Sequence, residues 1–145
     1  MSEEVQVPSI TMSLMGSQGI DAVSEPHWTA GAQGVFNVPR CDDCGYHRWP
    51  VTHACYNCLS TEWSWAAVPG TGKVFTYTWI DQPMHNTAEL ENIAVIELDG
   101  TTGEAVRVPG WVVDCDKDSL QCDLPVEVDF DIVAEGVGVP YWRLA

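Results

Sequence analysis

The chain has 145 residues, and its 21 Asp and Glu against 6 Lys and Arg give a formal net charge of -15. This length favours one domain, or a small domain joined to a mini-domain. The apolar fraction of 46% supports a folded core and excludes an acidic disordered tail. No apolar run approaches the ~20 residues of a membrane-spanning helix, and the first four residues (MSEE) are acidic where a secretory signal is basic. We therefore expect a soluble, cytoplasmic protein.

The charge also excludes two classes of partner. Nucleic-acid backbones are bound by clustered Lys and Arg, which displace condensed counterions, and anionic membrane surfaces attract the same clusters. The 6 cations are scattered through the chain. The remaining classes of partner are proteins and small molecules. The 7 Trp residues fit either a docking face, where Trp is enriched, or a small core that needs bulky side chains.

The first part of the chain predicts an arm followed by a short helix. Residues 1–23 show no clear period and are interpreted as a flexible or extended arm. Residues 24–37 are predicted to hold a short helical segment with Trp28 facing inward, because Ser24 is a good N-cap and Pro26 suits a first turn. Gly31 and Gly34 are expected to end the helix.

Residues 38–68 are predicted to form a zinc ribbon. Cys41, Cys44, Cys55 and Cys58 have the spacing C-x2-C-x10-C-x2-C, within an irregular stretch that has little core of its own. Two residues between paired thiolates let the chain turn so that both sulfurs face one centre, and two such knuckles supply a tetrahedral S4 site. The sequence therefore predicts a closed structural zinc site held by these four cysteines.

Disulfides and iron are the alternatives at the four cysteines. In a cytoplasmic chain, doubled C-x2-C motifs favour a metal over disulfides. Iron fits the same ligands, and Cys41 to Tyr46 resembles a rubredoxin-like loop. Leu59 stands where the second loop would have a glycine, so we expect the pseudo-symmetric loops of a redox site to be incomplete. Spacing alone does not distinguish zinc from iron, and an iron electron carrier stays the alternative.

Residues 69–145 predict a small β-barrel. Five candidate strands are rich in β-branched and aromatic residues or alternate in polarity: 74–80, 93–98, 105–113, 126–132 and 139–144. A long loop, 81–92, follows the first strand, and residues 69–73 are interpreted as a turn. Five short strands with an early long loop are typical of an OB-fold. The predicted fold class is mainly β: a short helical segment, a rubredoxin-like zinc ribbon and a five-stranded OB-fold barrel.

The other titratable residues carry weaker signals. Cys115 and Cys122 fit no metal spacing and are expected to be small buried hydrophobes. His27 and His47 carry no motif. His85 lies in the 81–92 loop beside Pro83 and Met84, and OB-folds often bind through the loop that joins their first two strands. A merely solvated loop histidine is the alternative.

The order of these motifs resembles one family. Residues 38–45 (VPRCDDCG), then Trp49-Pro50, the second cysteine pair and 72–78 (GKVFTYT) follow its plan, as do the later segments 93–99, 124–128 and 139–143. The chain is similar, over about residues 24–145, to the acyl-CoA-associated zinc-ribbon/OB-fold proteins, long catalogued as a domain of unknown function.

The resemblance implies a non-catalytic accessory subunit of a thiolase-like heteromeric complex. The catalytic partner would be an acyl-CoA thiolase, a thiolase-fold aldolase or a hydroxymethylglutaryl-CoA synthase, and this chain would stabilise it and help form its acyl-CoA channel. Because the chain is so acidic, the partner is expected to supply the cationic contacts to the CoA phosphates. An OB-fold nucleic-acid binder is the other alternative, disfavoured by charge. Loop and aromatic arguments give the candidate acyl-CoA or partner contacts: Pro83, Met84, His85, Tyr141, Trp142 and Arg143.

Overall fold

The computed structural model describes residues 22–82 and 90–145. In these residues one helix is followed by eight strands, which form a two-stranded and a six-stranded sheet. Within these described ranges, no helix is both long enough and apolar enough to span a membrane. The elements are α1 (Glu25–Ala32), β1 (Phe36–Cys41), β2 (Trp63–Val68), β3 (Thr71–Trp79), β4 (Asn92–Leu98), β5 (Arg107–Gly110), β6 (Val112–Val113), β7 (Pro125–Ala134) and β8 (Val137–Leu144).

Helix α1 starts as predicted and packs differently from the prediction. Ser24 is its N-cap residue and Pro26 lies in its first turn, where a missing N–H costs nothing. His27, rather than Trp28, takes the buried position, and Trp28 is only partly buried. The helix also continues through Gly31 to Ala32, so the expected end at Gly31 was wrong. Gly31 serves close packing instead, because a Cβ there would lie 2.5 Å from the Gly138 carbonyl oxygen of the neighbouring strand.

The metal-binding region contains a regular hairpin that the sequence did not indicate. Strands β1 and β2 pair antiparallel from Phe36 opposite Val68 to Cys41 opposite Trp63. All of β1 except Arg40 is buried. The expectation of an irregular stretch was wrong here. Five of the six β1 residues are buried, and the two exposed residues of β2, Ser64 and Ala67, are three apart, so neither strand shows a period-2 pattern.

The six-stranded sheet has the order β5-β4-β3-β7-β8-β6. Its two edge strands follow one another in the chain, with only Trp111 between them. The predicted third strand is thus divided: β5 pairs antiparallel with β4, and β6 pairs parallel with β8. The sheet is not closed by hydrogen bonds between its edges, yet it is barrel-like, as an OB-fold requires.

Asn92 of β4 binds the backbone of β6, just after the chain has changed partner from β4 to β8. Its Nδ2 donates to the Val112 carbonyl at 2.8 Å, and its Oδ1 accepts from the Val112 N–H at 2.9 Å. The side chain is 1% exposed. Asn92 therefore satisfies both backbone groups of Val112 in a buried position, where unpaired polar groups are costly.

One apolar core joins the two sheets. Trp142 of β8 is 1% exposed and lies edge-on to Phe36 of β1, with ring centroids 5.6 Å apart. The buried members are contributed by both sheets and the connections: Phe36, Val38, Val74, Ala94, Ile96, Leu98, Val106, Val108, Val112, Leu120, Val126 and Trp142. The ribbon and the barrel are consequently packed together rather than joined by a free linker.

Candidate metal centre

The four predicted cysteines converge on one point. Their sulfur atoms all lie within 4.8 Å of one another, with 3.6 Å between Cys41 and Cys58 and 3.6 Å between Cys44 and Cys55. A tetrahedral zinc with Zn–S bonds of about 2.3 Å needs sulfurs roughly 3.8 Å apart. The donor set fits a structural zinc, and the predicted zinc cofactor at these residues is confirmed by the ribbon and its sulfur cluster.

The two knuckles have equivalent backbones. The Gly45 N–H donates to the Cys41 carbonyl at 3.0 Å, and the Leu59 N–H donates to the Cys55 carbonyl at 3.0 Å. Gly45 has φ 78° and Leu59 has φ 65°. The expectation that the missing glycine breaks the symmetry was wrong, because Leu59 adopts the left-handed conformation itself despite its cost to an L side chain.

The thiols of Cys55 and Cys58 differ in their affinity for a proton. The backbone N–H of Cys58 stabilises the thiolate of Cys55 and lowers its pKa to about 6. The Ser60 N–H acts in the same direction on Cys58, but desolvation and the three neighbouring sulfurs outweigh it and raise the pKa of Cys58 to about 12. Four thiolates this close therefore ionise together only when a metal replaces their protons.

His27 of α1 is surrounded by aromatic rings, most of which belong to the ribbon. Its Nδ1 lies 3.0 Å from Oδ1 of Asn37 and 3.1 Å from the Asn37 carbonyl. Burial lowers the pKa of His27, against the opposing effect of the bonds to Asn37. Four rings lie with centroids between 5.0 and 5.5 Å from the imidazole: Trp28, Phe36, Trp49 and Trp65. Sequence reasoning missed this residue because no motif marks it.

His47 joins the ribbon to the barrel. The Thr102 N–H, between β4 and β5, donates to Nδ1 of His47 at 2.8 Å, and the His47 N–H donates to the Thr102 carbonyl at 3.0 Å. Burial, and then the charge of Arg40, lower the pKa of His47. A neutral imidazole with an accepting Nδ1 is the form that this contact requires. His47 is thus a structural connector.

The predicted loop contacts, Pro83, Met84 and His85, lie outside the described residues. The segments that border them are anchored: the Ile80 N–H donates to the Glu91 carbonyl at 2.8 Å, and Lys117 Nζ lies 2.6 Å from Oδ1 of Asp81. The bond between Ile80 and Glu91 holds the end of β3 beside the start of β4.

The other predicted contacts occupy different environments. Trp142 is in the core, and Tyr141 is 4% exposed. Arg143 forms ion pairs with Asp114 and with Asp129, the latter at 3.3 Å. Partner contact by these residues stays a prediction, and only Arg143 presents much surface in the chain by itself.

Neither of the other two cysteines is fully buried. Cys122 is exposed, so the expectation of a buried residue was wrong there. Cys115 is half-buried, its thiol donates to the Val112 carbonyl at 3.7 Å, and burial raises its pKa. The raised pKa keeps the Cys115 thiol protonated near neutral pH and so weakens it as a nucleophile.

Comparison with known proteins identifies both regions. Residues 28–64 match the model of the ChsH2 rubredoxin-like zinc ribbon domain, and residues 65–131 match the model of the ChsH2 C-terminal OB-fold domain. A curated protein of Thermomonospora curvata named probable enoyl-CoA hydratase alpha subunit is 28% identical over 117 residues. That match covers 80% of this chain and 35% of the relative, so the chain spans about a third of the relative's length.

Two solved structures share the architecture. The structure described as the Ltp2-ChsH2(DUF35) aldolase aligns with a TM-score of 0.73 and 25% identity, covering 87% of this chain and 97% of that one. A DUF35-family protein of unknown function from Sulfolobus solfataricus aligns with a TM-score of 0.59 at 11% identity, covering 93% and 96%, and shows the fold alone. With its zinc ribbon and its OB-fold both matched in order, the chain belongs to the ChsH2 (DUF35) family of zinc-ribbon/OB-fold proteins.

Proposed function

We propose that this chain is the accessory subunit of a heteromeric thiolase-like enzyme that acts on an acyl-CoA. The observation that carries the proposal is the match to 97% of the ChsH2(DUF35) chain in the Ltp2-ChsH2 aldolase structure. The alignment spans 87% of this chain with a TM-score of 0.73, and both the zinc ribbon and the OB-fold match ChsH2 domain models.

The environment of the described titratable groups supports a structural role. His27 and His47 are held by Asn37 and Thr102. The four cysteines form a closed S4 set, which leaves no open position for a substrate or a water molecule. In the proposed complex the catalytic groups belong to the partner, and this chain contributes a rigid surface.

We further propose two regions of contact. One is the loop with Pro83, Met84 and His85, because its ends are fixed to the barrel edge and such loops carry binding in OB-folds. The other is the tip of the second knuckle, where Tyr56 and Leu59 are 61% and 77% exposed. Exposed apolar side chains on a rigid turn lose little conformational entropy when a partner covers them.

A second candidate partner is an enoyl-CoA hydratase. The Thermomonospora curvata relative is named as an alpha subunit of that enzyme, and the chain corresponds to about a third of it. Both candidates place the chain beside an enzyme of acyl-CoA chemistry. In both, the net charge of -15 means that the partner's cations neutralise the CoA phosphates.

Co-expression tests the proposal. The chain is produced with a thiolase-fold protein from a neighbouring gene, and separately with a neighbouring hydratase, and each pair is purified through a tag on this chain. We expect a stable hetero-oligomer with the thiolase-fold protein and acyl-CoA cleavage or condensation that neither protein performs alone. Full activity of the partner in the absence of this chain, or no complex with it, contradicts the proposal.

Single substitutions then test the contact regions. Leu59→Ser and His85→Ala are expected to weaken the complex or raise its KM by about tenfold, as loss of an interface side chain does. Glu135→Gln, in the exposed turn between β7 and β8, is the matched control and leaves both unchanged. Unchanged affinity and KM in both contact variants would remove these regions from the proposed interface.

A further inference from the structure

Arg48 is a buried cation with an incomplete set of partners. The residue is 2% exposed, and its Nε and Nη1 have no hydrogen-bond partner. Only Nη2 is engaged, donating to the Thr52 carbonyl at 3.2 Å. Among residues 22–82 and 90–145, no carboxylate forms an ion pair with it. A buried charge without an ionic partner costs several kcal/mol. The Trp63 ring offsets part of that cost through a cation–π contact, and a nearby negative group would offset the rest.

The adjacent cleft does not provide that group. A cleft of about 230 Å³ is lined by Arg48 together with Tyr46, Tyr56, Glu104 and Arg107. The unpartnered nitrogens of Arg48 each expose less than 1 Å², so a solute in the cleft cannot hydrogen-bond to them. Glu104 is exposed, and solvent screens its charge.

The metal centre lies on the same side of the hairpin as the guanidinium. Cys41 and Trp63 are paired across β1 and β2, and directly paired residues project from the same face. The guanidinium carbon of Arg48 is 5.9 Å from the centroid of the Trp63 ring. Its bond to Thr52 also holds it against the segment that leads into Cys55. The guanidinium therefore lies on the face of the hairpin that carries Cys41.

Zinc with four thiolates carries a formal charge of two minus. The first knuckle adds Asp42 and Asp43, in a chain whose net charge is already -15. We propose that Arg48 is the buried counter-charge of the zinc tetrathiolate, and that it strengthens zinc binding by long-range attraction rather than by a direct hydrogen bond. Because Arg48 is buried, water and salt screen this attraction weakly.

Zinc affinity measured by competition with a chromophoric chelator tests this role. Arg48→Met removes the charge but keeps an apolar stem, and it is expected to weaken zinc binding roughly tenfold to a hundredfold. Arg48→Lys keeps the charge and is expected to stay within about threefold of the wild type. Acid-induced zinc release should begin at a higher pH in Arg48→Met than in Arg48→Lys.

Arg107→Gln is the matched control, since Arg107 lines the same cleft as Arg48 but is exposed, and its charge is screened by water. It is expected to change zinc affinity less than threefold. Equal losses in Arg48→Met and Arg48→Lys would overturn the proposal, because they would show that shape rather than charge matters. If Arg48→Met does not accumulate, Arg48→Lys decides alone: a loss above tenfold contradicts the proposal, and near-wild-type affinity supports it.

Discussion

The ribbon and the barrel are stabilised by different means. The barrel buries an apolar interior from all six of its strands, including Val74, Ile96, Val108 and Trp142. The ribbon has two six-residue strands and four sulfurs around one point. A segment this small rarely folds without a metal or other cross-link. We conclude that the metal stabilises the ribbon and that burial of apolar side chains stabilises the barrel. The core that both sheets share packs the two regions together.

Loss of a metal ligand is the largest expected effect. Cys55→Ser removes a buried ligand and is expected to abolish tight zinc binding, which is worth about 10 kcal/mol or more in such sites. Metal analysis of the purified variant and near-ultraviolet circular dichroism of the aromatic residues in 38–66 measure this. Cys122→Ser, at an exposed thiol, is the control and should retain zinc. A zinc-loaded, folded Cys55→Ser would contradict the assignment.

The next largest effect is expected from disrupting the close contact between α1 and β8. A Cβ on Gly138 would lie 2.2 Å from the Gly31 carbonyl carbon and 2.3 Å from the Ala32 nitrogen. Because both obstacles are backbone atoms, Gly138→Ala should push α1 away from β8 and cost about 3 kcal/mol. Thermal unfolding should show a lower midpoint. Gly136→Ala has no atom within 4 Å of the new Cβ and should cost only about 1 kcal/mol for its positive φ.

Substitution of Asn92 tests the stability of the barrel independently of the zinc ribbon. Asn92→Ala leaves the Val112 N–H buried without its partner and leaves the Val112 carbonyl with only the weak Cys115 thiol donor, and we expect a loss of about 2 kcal/mol. Urea unfolding checks the magnitude, and Gln82→Ala, at an exposed position, should be nearly neutral. Zinc affinity should be unchanged in Asn92→Ala, and a large change in it would break the proposed division between the regions.

The pH dependence of stability tests whether His27 is buried as a neutral imidazole. Burial lowers its pKa in the folded state, so the unfolded chain, with a pKa near 6.5, takes up the proton first as the pH falls. Stability is therefore fully present above about pH 7 and decreases as the pH falls below 6.5. We expect the unfolding midpoint to drop by a few degrees between pH 7.5 and 5.5.

Substitution separates this contribution from others. His27→Gln should reduce the slope of midpoint against pH, whereas His53→Gln, at an exposed residue, should not. The slope will not vanish in His27→Gln, because burial lowers the pKa of His47 as well. Identical slopes in the wild type and His27→Gln would show that His27 does not titrate in this way.

The smallest effect concerns the knuckle backbone. Leu59 is 77% exposed and has φ 65°, so Leu59→Gly loses little packing and relieves an unfavourable conformation. We expect a gain of about 0.5–1 kcal/mol in the zinc-loaded protein. Gly45→Ala, the equivalent change in the first knuckle, should lose about 1 kcal/mol. Opposite signs in the two variants, read from thermal unfolding, would confirm that the knuckles are conformationally equivalent.

The features predicted well were those set by local pattern. The alternation from Val126 to Ile132 lies within β7, and the spacing of the cysteines placed four sulfurs together. Both depend on a fixed period or a fixed ligand count, which the sequence displays directly. The OB-fold followed from the number and spacing of the strands, and the family match agrees.

The features missed depend on contacts distant in sequence. The predicted strand 105–113 divides at Trp111, because the chain leaves β4 for β8 there, and Pro109-Gly110 was the available signal. His27 and Arg48 are buried by partners that no local motif reveals. Side chains of this kind look like ordinary surface residues in a sequence, and only the packed structure shows what they contact.

Hydrogen exchange with and without a zinc chelator separates the zinc-dependent part of the fold from the zinc-independent part. After metal removal, amides of β1, β2 and the two knuckles should lose protection first, while those of β3, β4 and β7 keep it. This outcome would show that zinc organises the ribbon and the apolar core organises the barrel. Full protection of the ribbon amides after complete zinc removal would contradict the account.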